Sequence, residues 1–132
     1  MKKDMFLKRK GQSLLETALV MPIMVLLVVG IIDFGILFNN YLIVSNASRE
    51  GARKAAVGAD NTAISASVLN AASTLDEAKL KLTIAPINLG DRISGSEVSV
   101  TLTYEHSIFT PIISSIIPNP IELTSISTMR ME

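Results

Sequence analysis

The hydrophobic pattern divides this chain in two. From Thr17 to Phe38 apolar residues follow one another without a period, interrupted by one charge, Asp33. An amphipathic surface helix would instead repeat its apolar positions every three or four residues. As a helix, these 22 residues would extend about 33 Å, enough to cross a hydrocarbon core of about 30 Å. Pro22 removes the hydrogen bond to the Ala18 carbonyl and predicts a bend, which membrane helices accept when neighbours satisfy that carbonyl. Gly30 and Gly35 are spaced wrongly for a small-x-x-x-small dimer face and suit the close approach of another helix instead.

The helix is expected to continue beyond the lipid. Glu50 and Lys54 stand four apart with the acid first, a favourable pairing, and Gly58 is a plausible stop. Asp60, Asn61 and Thr62 offer N-cap side chains for a second helix with apolar positions Ile64, Val68, Ala71 and Leu75. After Glu77 the period changes to two. Leu80, Leu82 and Ile84 alternate with polar residues, and so, more clearly, do Val98, Val100, Leu102 and Tyr104. A turn-rich loop, Asn88 to Ser96, separates them, and a last strand is expected from Glu122 to Arg130. Between the last two strands, Thr110–Pro120 holds three prolines around Ile112–Ile117. This stretch reads as a short helix or turn covering one end of the sheet, or as an exposed patch for a partner. The fold class is therefore α+β: a long N-terminal transmembrane helix continuing into a small domain with a second helix and an antiparallel sheet of about three strands. Its expected divisions are a basic leader (1–11), the transmembrane and extended helix (12–58) and an extracytoplasmic domain (59–132).

Charge gives the helix a direction. The chain has 132 residues and zero formal net charge. Five of its twelve cations and one of its twelve acids fall within residues 1–11, a net of +4, leaving seven and eleven afterwards, a net of −4. All five early cations precede the apolar run, and none follows until Arg49. The positive-inside rule then places the N-terminus in the cytoplasm and everything after about residue 40 outside it. Tyr41 suits the far interface. A basic end before a long apolar run is a membrane arrangement, not a nucleic-acid patch. With no cysteine, neither a disulfide framework nor a thiolate metal site can form.

Three readings of the apolar run remain open: a cleaved secretory signal, a plain single-pass anchor, and an anchored helix cleaved before the run, at Gly11. Small residues for signal cleavage, Ser45 and Ala47, come late. Glu16 bears on the other two. A carboxylate at the head of a membrane helix is costly and calls for a partner. It could lie among headgroups and pair with Lys10 or water, or it could pair with an amine created at Gln12 by cleavage, one helical turn away.

The stretch Gly11-Gln12-Ser13-Leu14-Leu15-Glu16 resembles a type IV prepilin signal, with its basic leader, glycine and glutamate heading an apolar helix. The order Lys10-Gly11-Gln12, Glu16, Pro22, Asp33-Phe34-Gly35 and Arg49-Glu50-Gly51-Ala52-Arg53 is similar to the TadE-like family of tight-adherence pilus systems. Thr17 stands where processed members carry an aromatic. The resemblance implies a pilin-like fold and a pseudopilin or minor pilin acting in pilus assembly or initiation. It implies a prepilin peptidase cutting between Gly11 and Gln12, and Glu16 serving processing and assembly. Its implied partners are other pilin-like subunits and an inner-membrane assembly platform. The implied location is the bacterial cytoplasmic membrane, or the pilus and cell surface. The alternative is an uncleaved single-pass protein whose external domain binds an envelope or surface partner.

Asp33 lies about 24 Å along the helix from Thr17, near the far headgroups, and reads as an interfacial or helix-pairing residue. Arg49, Glu50 and Arg53 are further candidates for helix pairing or an interface, with a solvated face as the default reading. The lone histidine, His106, ends the clearest strand and reads as structural. No phosphate loop, nucleophile elbow or placed carboxylate pair is present, so neither an enzyme, a cofactor, a metal nor a small-molecule substrate is expected.

Overall fold

The computed structural model describes residues 2–132, with side chains from Gly11 onward, so the side chains of the basic leader's cations, that of Lys10 among them, lie outside what is described. One helix, α1 (Lys2–Ala56), runs without interruption through Pro22. Its apolar part is long enough to cross a membrane, and its most hydrophobic stretch is not buried by the rest of the chain. α1 ends where glycine allows it. Gly58 adopts φ +83°, and the amides of Gly58 and Ala59 turn back to the Ala55 and Lys54 carbonyls.

α2 (Asn61–Ala71) starts at Asp60, whose carboxylate caps the Ala63 amide at 2.9 Å. Ile64 and Val68 are buried as the spacing predicts, but Ala72, not Ala71, completes the stripe. Four-residue steps from Ile64 keep one face, and Ala71 falls just off it. Three strands follow: β1 (Leu80–Ala85), β2 (Glu97–His106) and β3 (Ile121–Arg130). They form one antiparallel sheet in the order β1-β2-β3, so the most regularly alternating strand is the central one.

The second half of α1 supplies the cover that a three-stranded sheet needs. Val44, Ala47, Ser48, Ala52 and Ala55 are buried against Val98, Val100 and Leu102 of β2, Leu123 of β3, and Ile64 and Val68 of α2. Small residues on this face bring the helix close to the sheet. The outward face of the sheet is polar, with Thr103 and Thr124 hydroxyls paired at 3.0 Å and Lys81 bridging to Glu105 at 2.6 Å. That pairing raises the Lys81 pKa and lowers that of Glu105.

The connection between β2 and β3 contains a four-residue helix, α3 (Pro111–Ser114). Ile113 and Ile117 border a groove with His106 and Ile121, so the stretch reaches the end of the sheet where β2 stops and β3 starts. It also lies against the apolar part of α1, where a Cβ on Gly30 would meet Ile113 Cδ1 at 3.7 Å. The approach anticipated at Gly30 is thus made by the chain's own loop, while Gly35 faces open space.

Candidate functional site

The candidate residues are strung along α1 and do not converge. By helical rise, Glu16 and Asp33 are about 26 Å apart, and so are Asp33 and Glu50. At the near end Gln12 Nε2 donates to Glu16 Oε1 at 3.3 Å, the one-turn relation the spacing predicts. Thr17 returns its hydroxyl proton to the Ser13 carbonyl at 2.9 Å, which lets a polar side chain sit in apolar surroundings. Around Gly11 there is open space, so packing does not account for a glycine there. A glycine inside a helix costs about 1 kcal/mol relative to alanine.

From Leu14 to Phe38 large apolar side chains are exposed on every side, with Leu14 and Leu15 more than 70% accessible. Phe34 and Phe38 stack on one another at a 6.4 Å centroid separation. Asp33, half-buried, has a partner within the chain. Its Oδ2 accepts from the Thr110 amide at 3.2 Å and also from the Thr110 hydroxyl. About two turns further on, Asn40 Nδ2 donates to His106 Nδ1 at 3.1 Å, which leaves the imidazole proton on Nε2. Burial lowers the His106 pKa, the Asp33 carboxylate opposes that shift, and Lys79 adds to it.

The Arg49–Arg53 box has two faces. Gly51 and Ala52 point into the core, whereas Arg49 and Arg53 are exposed. Glu50 pairs with Arg53, not with Lys54: Arg53 Nη2 reaches both carboxylate oxygens at 2.9 and 2.8 Å. The planar guanidinium fork matches a carboxylate in a way that an ammonium cannot. Among the described residues no three His, Asp or Glu side chains come together as a metal-holding group.

Sequence reasoning missed several structural polar groups. Ser48, fully buried, donates to the Ser45 carbonyl at 3.0 Å and receives the hydroxyls of Ser125 and Ser127, each at 2.9 Å. Arg92, 7% exposed, donates to the carbonyls of Pro86 at 2.9 Å and Ala59 at 3.4 Å and to the Asn61 side chain. It ties the loop after β1 to the start of α2. No sequence signal marked either cluster.

Residues 11–53, from the glycine before Gln12 to the last arginine of the box, match the family model described as TadE-like protein. This segment is TadE-like. No curated protein and no solved structure gives a significant match to the chain. The TadE-like match covers the uncovered apolar helix and the stretch that packs on the sheet, and it ends before α2. Together with a helix of membrane-spanning length, it supports a pilin-like membrane protein.

Proposed function

We propose that this chain is a TadE-like pseudopilin or minor pilin that acts in the assembly or initiation of a tight-adherence, type IV-like pilus. It is a non-catalytic subunit held in the bacterial cytoplasmic membrane by one helix, with its N-terminus cytoplasmic and its α+β domain outside. The observation that carries this reading is α1 itself. Its TadE-like part exposes large apolar side chains from Leu14 to Phe38, touched there only by the β2–β3 connection and the edge of the core, while the folded domain packs on its far half. Such a surface is suited to lipid and to the like helices of pilin subunits.

A prepilin peptidase would cut between Gly11 and Gln12, which gives the unpacked Gly11 a purpose. The new amine at Gln12 would then lie one turn from Glu16, a pair able to neutralise each other at low dielectric. Partners would be the peptidase, other pilin-like subunits and the inner-membrane assembly platform. One observation favours a second reading, an uncleaved single-pass protein whose external domain binds an envelope or surface partner: α1 passes through the Gly11–Gln12 bond without a break.

The mature N-terminus separates the two. Mass spectrometry is expected to find Gln12 first, and the full-length form to accumulate in Gly11→Ala. An intact leader in the native protein would favour the second reading. Glu16→Ala is expected to insert normally but to lose co-purification with pilin subunits. Undiminished co-purification would return Glu16 to the headgroups.

A further inference from the structure

The β2–β3 connection, residues 107–120, places apolar side chains in an unusual position. It carries no charged residue. Phe109 is 87% exposed and Ile116 78%, and Ile112 is also exposed. In water such a patch is unfavourable, and exposed patches of this kind mark contact with protein or membrane.

The position of this connection says which. Thr110 is bound to Asp33, Ile113 lies beside Gly30, and Thr110 and Ile112 border a groove with Pro22, Val25 and Val29 of α1. Measured back from Phe38, Gly30 is about 12 Å and Val25 about 20 Å down the helix. A bilayer spanning Thr17–Phe38 therefore contains α3. So does a bilayer restricted to the uncharged run Thr17–Ile32, because Val25, Val29 and Gly30 all belong to that run.

We propose that residues 107–120 form a wedge inserted among the acyl chains from the side of the sheet domain, a second membrane contact beside α1. The proposal rests on the reading of α1 as a membrane helix. Many of its polar groups are paired within the chain. The hydroxyls of Ser114 and Ser115 donate to the carbonyls of Pro111 and Ile112 at 3.0 and 2.7 Å, and that of Thr110 to Asp33. The Ile108 amide is held by Asn119 Oδ1 at 3.1 Å, the Ser114 amide by the Thr110 carbonyl, and those of Ile116 and Ile117 by the Ile113 carbonyl. Pro111, Pro118 and Pro120 have no amide proton to satisfy. Each of these bonds lowers the cost of taking its groups out of water. Asp33, the one acid at this depth, receives two donors from the wedge itself. The patch is also continuous with the exposed apolar surface of Met21, Val25 and Leu26, which the same acyl chains would cover.

The native chain has no cysteine, so single labels are straightforward. Full-length Phe109→Cys and Ile116→Cys would carry nitroxide labels in phosphatidylcholine vesicles, with Val25→Cys as a lipid reference and Asn70→Cys as an aqueous one. Collision rates with oxygen and with a water-soluble nickel chelate would be read by electron paramagnetic resonance. The wedge predicts loss of nickel collisions at 109 and 116 to the level of the Val25 label. Nickel access equal to that of Asn70, with Val25 still protected, overturns the wedge and leaves the anchor. Nickel access at Val25 overturns the membrane reading as well. Protection from both reagents, with spin–spin broadening that disappears on dilution by unlabelled chain, assigns the patch to a protein neighbour and also overturns the wedge.

Discussion

A Cβ placed on Gly51 of α1 would lie 2.5 Å from Val68 Cγ2 of α2 and 3.1 Å from Val100 Cγ1 of β2. The glycine of the Arg-Glu-Gly-Ala-Arg box is therefore the point where long helix, second helix and central strand meet. It is there for close approach, since it lies within a regular helix.

Gly51→Ala is expected to destabilise the domain. Overpacking costs about 1–3 kcal/mol, against the roughly 1 kcal/mol by which alanine is the better helix former. Thermal unfolding of the full chain in detergent, followed by circular dichroism, should show a lower midpoint. Adding Val68→Ala should give less loss than the two single effects summed, because it makes room. Gly35→Ala, with open space around it, should leave the midpoint unchanged or slightly raised.

Ser48→Ala is expected to cost about 1–3 kcal/mol, because the Ser125 and Ser127 hydroxyls lose their acceptor beneath the helix. The triple variant with Ser125→Ala and Ser127→Ala should recover part of that loss in the same unfolding measurement. A triple variant as unstable as the sum of its parts would show that the three hydroxyls do not act as a unit.

Arg92→Leu removes the donor from two carbonyls and one amide oxygen in a nearly closed space. Amide hydrogen exchange at the start of α2 and across residues 86–92 should rise, with the sheet amides little changed.

His106 should make the domain sensitive to acid. Its pKa is lowered in the fold by burial, so the neutral ring is the form the fold favours. The associated stability is present above the ordinary histidine pKa of about 6.5 and is lost as pH falls through the lower folded value. Unfolding midpoints between about pH 7.5 and 5 should therefore decline in the native chain more steeply than in His106→Gln. Glu105 adds acid sensitivity in the same direction, but lower, in the carboxylate range. Equal slopes in the two proteins would show that His106 does not carry the effect.

Much of this structure was legible in the order of residues because the relevant physics is local. A glycine with positive φ at 58 and an aspartate cap at 60 end one helix and begin the next through atoms a few residues apart. The alternation through Val98, Val100, Leu102 and Tyr104 reports a strand with one face buried, and the apolar run after Glu16 reports a helix that water does not favour.

Other features depend on contacts between distant parts of the chain. β3 turns Ser125 and Ser127 inward and leaves Ile126 66% exposed, the reverse of what hydrophobicity alone would assign. The Ser48 hydroxyl lies across the interface from them, 77 and 79 positions away in sequence. Likewise nothing near Asp33 in sequence announces Thr110, and nothing near Ile112 says that its loop will lie along the apolar part of α1 as well as at the end of the sheet. The sequence by itself determined the periodicities, caps and charge asymmetry, since these act over one or two turns. Only the tertiary structure decided which polar groups face each other and where the apolar loop lies, because a hydrogen bond or a packing contact needs both partners in place.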